Sequence, residues 1–94
     1  MIDMTHVDGR EIADVKLYKL STCIWCKKTQ RLLDQMGIAY DYINVDLYEG
    51  DAKDEIVAEI ERWNPKITFP TIVIDNERCI VGFDEEEIVR VLAA

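Results

Sequence analysis

The chain has 94 residues, of which 49% are hydrophobic and 32% are charged. That size and balance fit one globular domain, 1–94, and exclude a disordered tail or a low-complexity linker. The net charge of −8 argues against nucleic acid as the main partner. No apolar run is long enough to cross a membrane, and the N-terminal residues lack the pattern of a secretory signal. We therefore expect a cytoplasmic protein.

Alternating apolar residues, helix-entry signals and turn residues predict seven elements. The predicted strands are Val15–Leu20, Tyr40–Asp46, Thr71–Asp75 and Arg78–Gly82, and the predicted helices are about Ile24–Met36, Asp51–Trp63 and one opening at Asp84–Glu87. The order β-α-β-α-β-β-α combines a parallel βαβ unit with a hairpin and a closing helix. It predicts an α/β fold with a central four-stranded mixed sheet and three helices on its two faces.

Residues 1–14 precede that order. Asp8-Gly9 is a typical turn pair, so we expect a small hairpin of Met4–Val7 against Arg10–Ala13. Such a hairpin would lengthen or cover one edge of the sheet.

The charges are unevenly distributed along the chain. The window from Val15 to Leu33 holds five basic residues and no acidic one, which leaves a charge of −13 for the remainder. The basic residues are Lys16, Lys19, Lys27, Lys28 and Arg31. This window is either a solvated helix face or a surface that attracts acidic groups on partners.

Two of the three cysteines form a Cys-x-x-Cys pair, Cys23-Ile24-Trp25-Cys26, located between the end of a predicted strand and the first turn of a predicted helix. A thiolate at Cys23 would face the positive end of the helix dipole, with Lys19, Lys27 and Lys28 nearby, which predicts a pKa lowered from about 8.5 to about 4–7. Cys26 lies on the same helix face and within disulfide reach. The spacing therefore predicts a nucleophilic Cys23 and a resolving Cys26.

A metal site is the alternative for these cysteines. Cys23, Cys26, Cys79 and His6 could together supply a zinc site in number, although zinc-binding cysteine pairs usually lie on short turns. A non-catalytic module that senses redox state is a further alternative. We expect Cys79 to be a small buried hydrophobic residue, with a regulatory thiol as the other interpretation.

Three motifs and the element order resemble the glutaredoxin family, which has the thioredoxin fold. The motifs are Cys23-Ile24-Trp25-Cys26, Thr68-Phe69-Pro70 and Gly82-Phe83-Asp84, and the resemblance covers about Val15 to Leu92. It implies a dithiol–disulfide oxidoreductase that reduces protein disulfides or glutathione mixed disulfides. In that chemistry Cys23 attacks the substrate disulfide and Cys26 then releases the reduced substrate.

The same resemblance implies a substrate site around the cysteine pair. Pro70 would be the family's cis-proline, leaving the backbone N–H and C=O of Phe69 free to pair with an incoming peptide. Gly82, in the Gly-Phe-Asp turn before the last helix, would also belong to the substrate site, and Trp25 would shape the substrate entrance.

Glutathione contacts follow from the resemblance as well. Lys66 and Asp84 match two of the family's three anchors, whereas Lys19 lies one position before the usual basic residue, and Leu20 occupies that place. Two subgroups stay open: a glutaredoxin recharged by glutathione, and an NrdH-like redoxin recharged by a thioredoxin-type reductase. Either would act as a monomer on disulfide-containing proteins, with no bound cofactor or metal.

Overall fold

The computed structural model describes residues 2–93. Its strands are β1 (Thr5–Val7), β2 (Val15–Lys19), β3 (Tyr40–Asn44), β4 (Thr71–Ile74) and β5 (Arg78–Val81), and its α-helices are α1 (Ile24–Met36), α2 (Gly50–Trp63) and α3 (Glu85–Leu92). Each predicted element is present within one or two residues of its expected bounds. The predicted second strand is shorter, because Val45–Leu47 turn into a 3-10 helix. Within this part of the chain, no helix is both long and apolar enough to span a membrane.

The five strands form one mixed sheet in the order β1-β3-β2-β4-β5. β2 and β3 are parallel, as the βαβ unit requires, and β4 is antiparallel to both of its neighbours. This confirms the predicted thioredoxin-like α/β architecture, with β1 as a fifth strand added to the four that were predicted.

The predicted N-terminal hairpin was wrong in its pairing. β1 runs antiparallel to β3, with His6 opposite Asp41, and does not pair with residues 10–13. Arg10 instead pairs with the segment after α1. Its N–H donates to the Gly37 carbonyl at 2.8 Å, and its carbonyl accepts from the Ala39 N–H at 2.9 Å. A two-stranded hairpin buries little apolar surface on its own. The open edge of β3 offers β1 unpaired backbone N–H and C=O groups, so pairing there is favoured.

Gly9 lies where the N-terminal segment passes the end of α1. A Cβ atom at Gly9 would lie 2.6 Å from both Ala39 N and Ile38 C, closer than any real side chain could approach. Glycine is therefore required here by the close passage of two backbones.

Local signals define α1. The helix begins after Cys23 and ends at Gly37, which has the left-handed φ of 68° and donates its N–H to Leu33 and Asp34 carbonyls. This is the usual glycine cap, which satisfies carbonyls that the helix leaves unpaired. The predicted bounds Ile24–Met36 are confirmed.

Two apolar layers hold the helices to the sheet. The α1 and α3 side is made of Val15, Leu17, Leu33, Ile38, Tyr40, Ile72, Ile74, Ile80, Ile88 and Leu92. The α2 side is made of Tyr18, Ile43, Val45, Ile56, Ile60 and Val73. Strand alternation sends odd-numbered β2 residues to the α1 side and even-numbered ones to the α2 side.

The sheet register brings three chain segments to one edge. Tyr18 of β2 lies opposite Thr71 of β4, and Thr71 lies opposite Val81 of β5. The residues that follow β2, precede β4 and follow β5 are therefore neighbours, and these segments contain all three motifs singled out in the sequence.

Candidate active site

Cys23 is the N-cap of α1, and Cys26 lies in its first turn. The Cys23 Sγ accepts a hydrogen bond from the Cys26 backbone N–H at 3.1 Å. Cys23 is partly exposed and Cys26 is completely buried, with no disulfide between them. A negative charge on the Cys23 sulfur would be stabilised there by an N–H group and by the helix dipole.

Burial separates the two thiols chemically. It raises the pKa of Cys26 to about 12, and the hydrogen bond with Cys23 adds to the effect, while the positive charge of Lys19 opposes it. Cys26 is therefore a protonated thiol near neutral pH.

Asp46 fixes the turn before Cys23. Its carboxylate accepts hydrogen bonds from the Ser21 N–H at 2.8 Å and from the Ser21 hydroxyl at 2.5 Å. These bonds lower the pKa of Asp46. Sequence reasoning missed Asp46, because nothing local marks it as the partner of a serine 25 residues away.

Lys19 is buried at the end of β2 instead of lining an open surface. It is only 5% exposed, its ammonium donates to the Asn44 side-chain carbonyl, and it lies 5.6 Å from the Tyr42 ring. Strand alternation causes this, since Lys19 faces the same side as Val15 and Leu17. The placement puts the positive charge near Cys26.

The segment before β4 carries the Thr-Phe-Pro motif. The Phe69–Pro70 peptide bond is cis, and the Pro70 carbonyl accepts from the Gly82 N–H at 2.8 Å. Within residues 2–93, the backbone N–H and C=O of Phe69 make no hydrogen bond. These two groups are therefore available to another backbone.

A cleft of about 260 Å³ opens between this segment, the end of β5 and the start of α1. It is lined by Trp25, Phe69, Pro70, Gly82 and Phe83. The rings of Trp25 and Phe83 stack with centroids 6.0 Å apart, and Trp25 is 55% exposed. The structure thus brings together four of the predicted site residues, and a larger depression beside His6 includes none of them.

Two further residues belong to this surface. Phe83 forms one wall of the cleft, and the Lys28 ammonium lies 4.6 Å from the centre of the Trp25 ring. Sequence reasoning quoted Phe83 only as part of a motif and Lys28 only as part of a basic window. The i, i+3 spacing of Trp25 and Lys28 on a helix was the available signal.

The two expected glutathione anchors are both exposed. Lys66 lies in the loop after α2, and Asp84 is the N-cap of α3, where it accepts from the Glu87 N–H at 3.1 Å. Asp84 therefore has a structural task in addition to any contact with a ligand.

The zinc alternative finds no support. Across residues 2–93, no three His, Cys, Asp or Glu side chains lie close enough to hold a metal ion. Cys79 lies in β5 opposite Val73, and burial raises its pKa. A raised pKa suits a packing role better than a reactive one.

A buried and a partly exposed thiol at the start of α1, with a cis-proline in the cleft that Trp25 of the same helix lines, is an arrangement typical of thiol–disulfide oxidoreductases with the thioredoxin fold. Residues 15–79 match the profile of one such family, described as Glutaredoxin. The chain belongs to the glutaredoxin family.

Known relatives agree with this assignment. A glutaredoxin structure from Methanosarcina mazei Go1 has 46% identity and a TM-score of 0.89, over 97% of this chain and 88% of that one. A structure of Methanosarcina acetivorans methanoredoxin has 40% identity and a TM-score of 0.87, over 92% and 90%. Glutaredoxin 1 of Rickettsia conorii is 34% identical over 76% of this chain and 70% of its own length.

Proposed function

We propose that the protein is a glutaredoxin-type dithiol reductant of protein disulfides and glutathione mixed disulfides. The observation that carries the proposal is the pairing of a partly exposed, N–H-bonded Cys23 sulfur with a completely buried Cys26 thiol at the start of α1. In this arrangement Cys23 is the attacking sulfur and Cys26 is the resolving sulfur.

The reaction proceeds by two exchanges. The Cys23 thiolate attacks one sulfur of the substrate disulfide, forms a mixed disulfide, and displaces the other sulfur as a thiolate that takes a proton from solvent. Cys26 then loses its proton and attacks the Cys23 sulfur, which releases the second substrate sulfur as a thiol. The substrate gains two electrons, and the protein is left with a Cys23–Cys26 disulfide.

Formation of the mixed disulfide activates Cys26. Part of the raised pKa of Cys26 comes from its hydrogen bond to Cys23 and from the Cys23 charge, and both disappear when Cys23 becomes a disulfide sulfur. The Lys19 charge persists and favours the Cys26 thiolate. Burial, the largest cause of the raised pKa, remains, so the mixed disulfide relieves the pKa of Cys26 only in part.

The cleft would bind the chain around the substrate disulfide. The unpaired N–H and C=O of Phe69 can form a short antiparallel pair with the substrate backbone. Trp25 and Phe83 offer stacked apolar surface to a side chain beside the attacked cysteine.

Glutathione is the proposed reductant, held by the Lys66 ammonium and the Asp84 carboxylate through its oppositely charged groups. The alternative is an NrdH-like cycle with a thioredoxin-type reductase. The burial of Lys19 away from the cleft favours this alternative, because it removes the third anchor. Both reductants place the protein in the cytoplasm, where we propose that it acts as a monomer without a bound cofactor.

Turnover with the two reductants tests the proposal. Oxidised protein is supplied with a glutathione mixed disulfide and either millimolar glutathione or NADPH with thioredoxin reductase. We expect glutathione turnover that falls in Lys66→Gln and Asp84→Asn, whereas Lys53→Gln, an exposed lysine on α2, serves as the matched charge control. Turnover with the reductase alone would establish the NrdH-like cycle. Failure to reduce any disulfide would refute the proposal.

A further inference from the structure

Asn64 is a buried amide directly after α2. It is 3% exposed, and its side-chain nitrogen donates to Thr68 O at 3.2 Å, to Thr68 Oγ1 at 3.0 Å and to Thr71 Oγ1 at 3.1 Å. Its side-chain oxygen accepts from the Lys66 N–H at 3.3 Å. One side chain thus contacts the 64–71 loop at three places.

The Thr68 carbonyl is the focus of these contacts. It accepts from the Thr71 hydroxyl at 2.7 Å as well as from Asn64. Two side-chain donors therefore hold a single carbonyl oxygen outside any strand.

The Thr68 carbonyl and the Phe69 N–H belong to the same peptide group. Because the peptide group is planar, its C=O and N–H point in opposite directions, and holding one orients the other. The Phe69 N–H has no partner within residues 2–93. The contacts of Asn64 consequently set the direction in which a free backbone donor points.

The loop is also one that needs support. Ile67 has a φ of 50°, a left-handed conformation that a β-branched residue rarely adopts. Such a conformation persists when the surrounding contacts fix it. Asn64 supplies them on both sides, through Lys66 and Thr68, and its own carbonyl accepts from the Ile67 N–H at 2.9 Å.

We propose that Asn64 is a positioning residue that aims the Phe69 N–H at the backbone of the disulfide substrate. Asn64 acts through the Thr68 carbonyl, and it controls substrate binding without touching substrate or either thiol. This inference rests on the proposed function, because the backbone pair with Phe69 is part of it.

The test compares two peptide disulfides that differ only in their backbones. One is a cysteine peptide in a mixed disulfide, and the other is the same peptide with an (E)-alkene in place of each peptide group beside its cysteine, so that no carbonyl there can accept from the Phe69 N–H. The ratio of their kcat/KM values cancels effects on thiol chemistry. We expect a ratio of about 10 in the wild type, since a hydrogen bond is worth about three- to tenfold.

Two substitutions weaken the hold on the Thr68 carbonyl. Asn64→Asp keeps the acceptor for Lys66 but cannot donate as a carboxylate, and Thr71→Val keeps the side-chain shape but removes the hydroxyl. We expect the ratio to fall about three- to tenfold in each of the two variants, because KM rises for the unmodified peptide. The rate of Cys23 alkylation should be unchanged. Ile60→Val, a buried position one turn earlier in α2, is the control for lost packing and should keep the wild-type ratio.

The outcomes separate this inference from the proposed function. A wild-type ratio in both folded variants overturns the role of Asn64. If the wild type reduces both peptides with a kcat/KM ratio near 1, and also reduces a small aromatic disulfide, the inference is overturned and the redox function stands. Failure of the wild type to reduce the small disulfide as well removes the proposed function itself. A fall in Ile60→Val equal to that in Asn64→Asp shows a general packing effect and also overturns the inference.

Discussion

A short pulse of iodoacetamide on the reduced protein should label Cys23 and leave Cys26 unmodified. The burial of Cys26 raises its pKa to about 12. At about pH 7.5, therefore, only about 3 in 100,000 molecules carry the Cys26 thiolate, against about 1 in 10 for an ordinary cysteine of pKa about 8.5. Because alkylation consumes the thiolate, Cys26 should react about 3,000-fold more slowly than an ordinary exposed cysteine.

Peptide mapping after the pulse separates the three cysteines. The Cys26→Ser variant should label as fast as the wild type, and Cys23→Ser should lose the rapid phase, with Cys79 labelling slowly in both because burial raises its pKa. Equal labelling of Cys23 and Cys26, or faster labelling of Cys26, would refute the assignment of attacking and resolving roles.

Substitutions at four further positions test individual contacts. Lys19→Met should slow the second exchange several-fold in rapid-quench measurements, because the Lys19 charge favours the Cys26 thiolate; an unchanged rate would exclude that role. Trp25→Ala should raise KM for peptide disulfides by about five- to tenfold by removing the stack on Phe83, and an unaltered KM would count against the cleft. Asp84→Ala should cost about 1 kcal/mol and lower Tm by about 4–8 °C as an N-cap is lost, whereas Asp84→Asn should keep the cap; equal Tm values would contradict the capping role. The hydrogen bonds from Ser21 lower the pKa of Asp46, so their stabilisation is present above its unfolded pKa and is lost as pH falls through the folded pKa. The free energy of unfolding in urea should therefore fall less steeply at acid pH for Asp46→Asn than for the wild type. An equally steep fall in the variant would disprove the contribution.

Elements with strong local signals could be predicted from the sequence. α1 has an entry at Cys23 and a glycine cap at Gly37, and the β4–β5 hairpin has a short polar turn between apolar runs. The position of the cysteine pair at the start of α1 followed from these signals. The partner of β1 could not be predicted, because pairing with β3 depends on which edge of the assembled sheet is open.

In the site, too, the motifs that are continuous in the sequence could be predicted, whereas the burial of a single side chain was missed. The family motifs around Cys23, Pro70 and Gly82 meet at one edge as expected, because strand order brings them there. Lys19 was expected to contact glutathione because of its position before the cysteines, although its two-residue spacing from Leu17 and Val15 was a signal that it faces inward.

In the sequence, Asn64 is marked only by its position directly after the predicted helix Asp51–Trp63. Its contacts with Thr68 and Thr71 depend on how the 64–71 loop folds back, and no spacing rule describes that path. Buried polar networks of this kind become visible only when donors and acceptors are counted in three dimensions.

The short β1 strand has a consequence for how the protein behaves in concentrated solution. Without it, β3 would present a row of unpaired backbone groups, the kind of template on which chains add to one another and aggregate. Tight passage of Gly9 against Ile38 and Ala39 anchors the strand close to its C-terminal end. Replacing Gly9 with a larger residue should therefore make the protein prone to self-association while the cysteine pair, at the opposite end of the parallel β2–β3 strands, keeps its surroundings.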